Sequence, residues 1–369
     1  MELYFEQATI EKLPTYHLPD KDRFDAYLSD TDDFNVAIFG LEEGLNSFEN
    51  SACAEAPNYI RRQLYALRGG FEHLKIRDFG NIRRGKTLKD SYIALRDIIS
   101  ELAEKGVVSI VLGGSHDLSL PIFEGLKKNL SKINISVIDS KIDLGCSNND
   151  YSANSFLDKI VYDSNLHRIE SIAHQSYFVP ESHLFALRKR NQYGMRLGMV
   201  RDNIQRTEPL LRDSDFISFD ASALRQSDMP CALANPNGLY AEEACHLARF
   251  GGLSDRVKVF GFFELNPQFD QNDRSTALAA QIIWHFIEGL SKRFGDYPVS
   301  DFNNYQKYVV MSEMLGENVV FYKNEINRRW WIEIPNKNNE MEIYACMKYE
   351  YEQAKRGKIP DIWLKYYKK

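Results

Sequence analysis

Three apolar segments of this chain lead directly into acidic or imidazole side chains. The first leads to His116, the second to Asp139 and Asp143, and the third to Asp220. Short runs of Val, Ile and Phe are typical of buried parallel strands, and ligands bind beyond the carboxyl ends of such strands. One imidazole and three carboxylates at that edge are suitable ligands for a divalent cation. The residue types therefore predict a metal centre.

Each of these motifs also has an ordinary structural explanation. A His at a strand end is commonly a packing residue, and Asp residues after strands commonly cap helices or close turns. A carboxylate cluster that is neutralised by a protonated His116 and by the nearby Lys141 needs no ion. The residues alone leave both a metal centre and an ion-free cluster open.

The elements that must position these side chains alternate between strand and helix. Helical spacing of apolar residues predicts a helix over residues 90–106, which leads into a strand over 107–112. A second helix over 118–126 precedes a strand over 133–138. This βαβ alternation implies a parallel sheet that is covered by helices on both faces. Further strands are predicted at residues 36–41, 171–173, 196–200, 216–219 and 257–263, with a long helix at 275–293.

The three motifs occur in an order that resembles a known family. They read Gly113-Gly114-Ser115-His116, Asp139-Ser140-Lys141-Ile142-Asp143 and Ser218-Phe219-Asp220-Ala221-Ser222. The arginase (ureohydrolase) superfamily, and its formiminoglutamase branch in particular, has similar Gly-Gly-x-His, Asp-x-His-x-Asp and Ser-Phe-Asp-x-Asp motifs. Flanking segments also resemble the family, namely residues 36–41, 78–81, 235–239 with Glu243, and 263–267. The resemblance covers roughly residues 30 to 292 and implies a three-layer αβα fold around a mainly parallel eight-stranded sheet.

The resemblance implies one complete and one incomplete set of metal ligands. Family members hold two divalent ions, usually manganese, between shared aspartates. The ligands of the first ion match His116, Asp139, Asp143 and Asp220. The second ion requires a further His and Asp, but this chain has Lys141 and Ser222 at those positions. We therefore expect a degenerate site with one divalent cation, for which Mn²⁺ is the first candidate, or with none.

A balance of formal charge predicts what replaces the second ion. Three aspartates that face one divalent ion and one ammonium are nearly neutral, as are four aspartates that face two divalent ions. We therefore expect the Lys141 ammonium to occupy the space of the lost ion and to bond to Asp139 and Asp220. Ser222 would then replace a carboxylate that is no longer needed.

Two functions follow from this degenerate site. Family enzymes use metal-activated water to release urea or formamide from arginine, agmatine or formiminoglutamate. Loss of the second ion disturbs the position of the nucleophile, and an error of about 1 Å can cost on the order of a hundredfold in rate. The sequence favours a pseudoenzyme or binding protein. The alternative is a single-metal hydrolase of a linear amidine or guanidino C–N bond, with Asp143, Lys141 and Glu243 in catalysis and with Asn154 and Glu243 in contact with a small guanidino or formimino substrate.

Composition limits the other classes of function. The 369 residues are 44% hydrophobic and 27% charged, which is typical of a globular protein. A net charge of -6 speaks against nucleic-acid binding, and no apolar segment is long enough to predict a membrane span. The odd number of scattered cysteines argues against a disulfide framework and favours a cytoplasmic protein. These residues are Cys53, Cys146, Cys231, Cys245 and Cys346.

The character of the chain changes beyond about residue 297, where aromatic and basic residues alternate closely. We expect an arginase-like domain over residues 1–295 and a C-terminal extension over 296–369. Residues 319–322 and 329–334 are predicted to pair as a hairpin. The extension either packs on the domain through its aromatic residues or docks a protein partner. The family resemblance implies a homo-oligomer, a trimer or hexamer, whose subunit contacts the extension could block or replace.

Overall fold

The structure is a computed structural model, and it describes residues 1–15, 17–71, 73–145, 151–190, 192–231, 235–296 and 304–367. The strands in these ranges are β1 (Phe5–Glu6), β2 (Val36–Gly40), β3 (Ile76–Ile82), β4 (Val108–Leu112), β5 (Ile133–Ile138), β6 (Leu166–His174), β7 (Tyr193–Arg196), β8 (Phe216–Asp220), β9 (Val259–Phe263), β10 (Tyr305–Ser312), β11 (Glu317–Asn324), β12 (Trp330–Pro335) and β13 (Met341–Cys346). The α-helices are α1 (Ala56–Tyr65), α2 (Leu88–Glu104), α3 (Ser119–Leu126), α4 (Leu157–Ile160), α5 (Glu181–Lys189), α6 (Leu197–Asp202), α7 (Glu208–Arg212), α8 (Ala241–Gly252), α9 (Arg274–Leu290), α10 (Lys348–Lys355) and α11 (Asp361–Tyr366).

The larger sheet has the strand order β1-β3-β2-β4-β9-β8-β5-β6-β7. Eight of its strands pair in parallel, and the two-residue β1 adds to the edge in antiparallel pairing with β3. One hydrophobic core joins this sheet to α1, α8 and α9, and a second joins its other face to α2, α3 and α4. The predicted three-layer αβα architecture around a mainly parallel sheet is therefore confirmed.

Most of the elements that the sequence predicted are present in the structure. Helix α2 begins earlier than the predicted residue 90, because Thr87 caps it in a reciprocal pair of hydrogen bonds with Asp90. The predicted strand over 196–200 is wrong, because these residues lie mainly in α6 and the strand β7 precedes them. Leu197 and Val200 are both buried, and so short an apolar run does not distinguish a strand from one turn of helix.

The C-terminal residues form a separate antiparallel sheet with the strand order β10-β11-β12-β13. Strands β11 and β12 pair with Phe321 opposite Ile332, so the predicted hairpin is confirmed. Helices α10 and α11 pack on this sheet through residues such as Trp363, which is 1% exposed. The sheet contacts the larger domain, because Arg212 donates to the carbonyl oxygens of Trp330 and Cys346 at 3.2 and 3.1 Å. The sequence predicted only two of these four strands.

Two predictions about the chain as a whole concern membranes and cysteines. Within the described ranges, no helix has the length and apolar character that crossing a membrane requires. The described cysteines are buried thiols outside any disulfide, and Cys146 lies outside the described residues.

Candidate metal centre

The candidate site lies at the carboxyl ends of four strands that are neighbours in the sheet. The order β4-β9-β8-β5 places the residues that follow these strands side by side. His116 follows β4, Asp139 and Asp143 follow β5, and Asp220 ends β8. The topology thus brings together four side chains that are far apart in sequence.

The loop from β4 to His116 requires glycine. Gly114 has φ of +80°, and a Cβ atom there would lie 2.8 Å from the carbonyl oxygens of Leu41 and Glu43. Because no side chain fits that space and most side chains avoid that φ, the backbone can turn sharply only at this residue type. The turn directs the ring of His116 back over the strand ends, where it packs 4.6 Å from the ring of Phe156.

Three carboxylate oxygens surround one nitrogen of His116. Its Nδ1 lies 3.1 Å from Asp143 Oδ2, 3.1 Å from Asp220 Oδ2 and 3.8 Å from Asp139 Oδ2. All four residues are buried. Nδ1 is close to these oxygens but has no hydrogen-bond partner with suitable geometry in the described residues. This is the arrangement expected of nitrogen and oxygen ligands that converge on a cation rather than on one another.

The remaining atoms of His116, Asp139 and Asp220 are held by the protein. His116 Nε2 lies 2.8 Å from Ser218 Oγ, which in turn lies 2.7 Å from Ser119 Oγ. Asp220 Oδ1 accepts from the backbone N–H of Ser222 at 2.6 Å. Asp139 Oδ1 accepts from the Ser222 hydroxyl at 3.1 Å. Such outer hydrogen bonds orient metal ligands and leave their other atoms available to the ion.

The ionisation of the cluster also indicates that it favours a cation at its centre. Burial would lower the pKa of His116, but the carboxylates of Asp143 and Asp220 outweigh it and raise that pKa well above its usual value. Burial and the charges of Asp143 and Asp220 raise the pKa of Asp139. Burial would likewise raise the pKa of Asp220, but contact with His116 lowers it. The concentrated negative charge is thus stabilised by either an imidazolium or a metal ion.

Lys141 does not adopt the predicted position. It lines the cleft beside the cluster and is partly buried, but its ammonium makes no ion pair within 4.0 Å with any described residue. Only its backbone N–H bonds to Asp139 Oδ1, at 3.1 Å. The predicted bonds to Asp139 and Asp220 are therefore wrong. Asp139 Oδ1 instead contacts the hydroxyl of Ser222, which lies 3.1 Å from the hydroxyl of Ser140.

The structure adds one residue that the sequence prediction missed. Glu264 follows β9, lines the same cleft, and is 1% exposed. It accepts hydrogen bonds from the backbone of His116 at 2.8 Å, from Asn50 at 2.8 Å and from Ser47 at 2.5 Å. Burial and the charge of Asp220 raise the pKa of Glu264 to about 7. Its φ of 63° is unusual for glutamate and is typical of strained functional positions.

The two predicted substrate residues occupy different places. Asn154 is exposed and lines the cleft together with the exposed ring of Phe48. Glu243 does not line it, since its carboxylate accepts from the backbone of Tyr240 at 2.8 Å at the start of α8. It also lies 3.7 Å from Arg201. Its ordinary role as a helix cap therefore accounts for its position. The sequence did hold a signal for Glu264, because that residue directly follows a strand in one of the family-like segments.

Comparison with known proteins decides the family. The model of the arginase family matches residues 34–288, which is more than half of the chain. The chain belongs to the arginase family. Among curated arginase-family relatives, the formimidoylglutamase of Lysinibacillus sphaericus is 24% identical over 288 residues, which cover 71% of this chain and 87% of that protein. The formimidoylglutamase of Photorhabdus laumondii is 25% identical over 266 residues, which cover 68% of this chain and 84% of that protein.

Solved structures of the family share the fold. Trypanosoma cruzi formiminoglutamase with Mn²⁺ aligns with a TM-score of 0.69 at 23% identity, and the match covers 74% of this chain and all of that one. The formimidoylglutamase of Bacillus subtilis aligns with a TM-score of 0.68 at 17% identity and covers 77% of this chain and 97% of its own. At these identities the likeness establishes the arginase-like fold. The predicted family resemblance is thereby confirmed.

Proposed function

We propose that the protein is a metal-dependent hydrolase of C–N bonds in linear amidines, with a single divalent cation in each chain. The observation that carries this proposal is the position of His116 Nδ1, which faces the Oδ2 atoms of three aspartates and has no hydrogen-bond partner among the described residues. His116, Asp139, Asp143 and Asp220 would hold the ion, for which Mn²⁺ is the first candidate. A bound divalent cation supplies Lewis acidity that makes water a nucleophile near neutral pH.

The protein itself fixes the geometry of this centre. Ser218 holds Nε2 of His116, so that Nδ1 keeps its direction towards the carboxylates. The backbone of Ser222 and its hydroxyl fix the outer oxygens of Asp220 and Asp139. Because these partners are buried and belong to rigid strand ends, the ligands are preorganised rather than assembled upon binding.

Glu264 is the residue that best fits the amidine group of a substrate. Its carboxylate lies in the cleft near the charge of Asp220, and this repulsion contributes to its raised pKa of about 7. A planar amidinium cation would relieve that repulsion and would donate two N–H hydrogen bonds to the carboxylate. We therefore assign to Glu264 the substrate contact that the sequence suggested for Glu243.

Lys141 favours a substrate that carries a negative charge away from its amidine. The ammonium lines the cleft without an ion pair among the described residues. An ammonium at this position attracts a substrate carboxylate and repels the second cation of a diamine. Together with Asn154 at the rim, it therefore favours formiminoglutamate over agmatine.

The cleft has room for an ion but must widen to admit a substrate. The cavity beside the cluster has a volume of about 10 Å³. This suffices for a water molecule or an ion, whereas small-molecule sites typically measure about 300–1,000 Å³. Substrate entry would therefore displace rim side chains such as Phe48, which is 61% exposed.

The test is metal binding and turnover by the full chain. Metal-free protein is titrated with Mn²⁺, and formamide or urea release is then assayed with formiminoglutamate, arginine and agmatine. We expect about one Mn²⁺ per chain and metal-dependent release of formamide. Asp220→Asn should weaken Mn²⁺ binding by at least about tenfold, because it removes one charged ligand.

A matched substitution elsewhere controls for general damage. Asp163 pairs with Lys127 at 2.5 Å and lies outside the cleft, so Asp163→Asn should leave Mn²⁺ binding and turnover unchanged. Protein that binds no Mn²⁺ and turns over none of the three compounds would contradict the proposal. Bound Mn²⁺ without turnover would instead favour a pseudoenzyme, for which the replaced second-ion ligands Lys141 and Ser222 are the specific observation.

A further inference from the structure

We propose that a groove between α7, α8 and the C-terminal sheet binds a small ligand bearing two or more phosphate-type negative charges. This groove, hereafter the basic groove, has a volume of about 530 Å³ and is lined by the five cationic residues Arg212, Lys323, Arg328, Arg329 and Lys348. Its size is in the range of small-molecule sites. Among the described residues, it shares no lining residue with the cleft at His116, so the proposal is independent of the hydrolase function.

The five cations come from separate parts of the fold. Arg212 ends α7, Lys323 lies in β11, Arg328 and Arg329 form the turn before β12, and Lys348 begins α10. Among the described lining residues, Glu208 supplies the one carboxylate. The whole chain has a net charge of -6, so this concentration of positive charge runs against its overall composition. Converging like charges repel one another, and an anionic ligand would remove that repulsion.

Arg212 is a buried cation with a donor nitrogen, Nη1, that lacks an acceptor among the described residues. It is 2% exposed, its guanidinium stacks 4.4 Å over the ring of Trp331, and Nη2 donates to two backbone carbonyls. Nε lies 3.2 Å from Glu208, but Nη1 has no hydrogen-bond acceptor in the described residues. A buried, charged donor without an acceptor is costly, and an oxygen of a bound anion would satisfy it. The planar guanidinium fork suits phosphate oxygens in particular.

The other arginines divide into a fixed and an exposed member. Arg329 is held by Glu208 at 3.3 Å and by Asp296 at 2.9 Å, so its guanidinium is already ordered. Arg328 is exposed at the rim with φ of 65°, and its backbone N–H donates to the Asn324 carbonyl at 3.1 Å. The Arg328 side chain has no ion pair within 4.0 Å in the described ranges. Arg329 is thus ordered before a ligand binds, and Arg328 is available at the rim. This pair is suited to bind an anion from solution.

The shape of the groove favours a compact ligand over a polymer. Its apolar wall consists of Phe250, Leu253 and Met347, which can cover the organic part of a small phosphate ester. Trp330 is 5% exposed and is stacked on Tyr351 at 4.8 Å, so it offers no free ring face to successive nucleic-acid bases. A diphosphate group matches the several cations within one small cavity.

The experiment measures binding of inorganic pyrophosphate to the metal-free full chain by calorimetry at about 0.15 M NaCl, where long-range charge effects are screened. We expect a one-to-one complex. Arg328→Gln combined with Lys348→Gln should weaken it at least about tenfold, because two ligand contacts are lost. If the natural ligand is a nucleotide, adenosine diphosphate should compete with pyrophosphate for the groove. If the natural ligand is free diphosphate, adenosine diphosphate should not compete. Either result supports a diphosphate site.

The matched control is Arg356→Gln combined with Lys358→Gln, which removes two exposed cations of the same extension outside the basic groove. This variant should bind pyrophosphate within about twofold of the natural chain. Equal weakening in both double variants would overturn the proposal, since it would indicate only general charge attraction. Absence of binding, or tighter binding of a glutamate-rich peptide or a single-stranded oligonucleotide than of pyrophosphate, would overturn it as well.

Discussion

At the scale of single residues, hydrogen bonds to serines already hold one side-chain atom each of His116, Asp139 and Asp220 in the candidate metal centre. Ser218 occupies one nitrogen of His116, and Ser222 occupies one oxygen each of Asp139 and Asp220. Their other atoms, His116 Nδ1 and the Oδ2 atoms of Asp139 and Asp220, lie close to one another. The sequence identified these three residues as candidate ligands because an acidic or imidazole residue after an apolar strand is a local signal.

Other site residues could not be predicted locally. The partners Ser47 and Asn50 of Glu264 lie more than 200 positions away in the chain, so their convergence is visible only in the fold. The direction of the Lys141 side chain depends on packing rather than on its place in the motif. Charge balance alone therefore predicted the wrong contact for it.

A second ion should return if its ligands are restored. In the double variant Lys141→His and Ser222→Asp, an imidazole and a carboxylate replace an ammonium and a hydroxyl beside Asp139, where Ser222 Oγ already lies 3.1 Å from Oδ1. We expect the bound Mn²⁺ to rise from about one to about two per chain. Elemental analysis after removal of loosely bound metal measures this ratio. Each single variant serves as a control and should stay near one; a double variant that also stays at one would contradict the expectation.

At the scale of elements, the parallel sheet was predictable and the C-terminal sheet was only partly so. The central parallel strands are short, mainly apolar runs, and this signal located β4, β5, β8 and β9. Strands β10 and β13 have one exposed or half-buried face, and their mixed composition hides the strand pattern. Only the pairing with β12 shows which side chains of β13 share a face of the sheet. In this pairing, Ile332 lies opposite Tyr344.

The folded state should lose stability in acid because His167 of β6, which lies beside β13, is buried. His167 lies 3.4 Å from Glu342, and burial together with the positive charge of Arg168 lowers the pKa of His167 to about 4. Because the folded state favours the neutral ring, the unfolded chain binds more protons between the ordinary pKa of 6.5 and about 4. This residue therefore makes stability fall as the pH falls through that window.

The variant His167→Gln tests this effect because it cannot take up the proton. From pH 7 to pH 4, the natural chain should lose on the order of 3 kcal/mol more unfolding free energy than the variant. Urea denaturation followed by circular dichroism measures both profiles. His17 is exposed, so His17→Gln should follow the natural chain. If the unfolding free energies of the natural chain and of His167→Gln change in parallel with pH, the folded state does not lower the pKa of His167, and the prediction is wrong.

At the scale of the whole molecule, the extension and the arginase-like domain share a buried polar interface. Asp213 accepts from Arg168 at 3.0 Å and from the backbone of Ala345 at 2.9 Å. Glu170 accepts from both Lys365 and Tyr366 at 2.5 Å. Breaking this interface would leave buried charges without partners, which is costly. The geometry is that of a packed extension, and docking of a protein partner by its outer surface stays a prediction.

The two parts should therefore unfold together. The chain has four tryptophans, of which Trp284 lies in α9 and Trp330, Trp331 and Trp363 lie in the extension. In a Trp284→Phe variant, fluorescence reports on the extension, whereas far-ultraviolet circular dichroism is dominated by the helices of the domain. We expect the two thermal midpoints to coincide within about 2 °C, as in a cooperative transition. A fluorescence transition that clearly precedes the loss of helix signal would indicate an independently unfolding extension.

The position of β9 has a consequence for how the protein is made. This strand lies between β4 and β8 in the sheet, yet it is the last of the parallel strands to be synthesised. Until it has left the ribosome, the nascent chain holds two half-sheets with open edges, and edges of that kind are prone to aggregation. The histidine of one half and the aspartates of the other can meet only after this late insertion, so chaperone protection during translation would matter most in that interval.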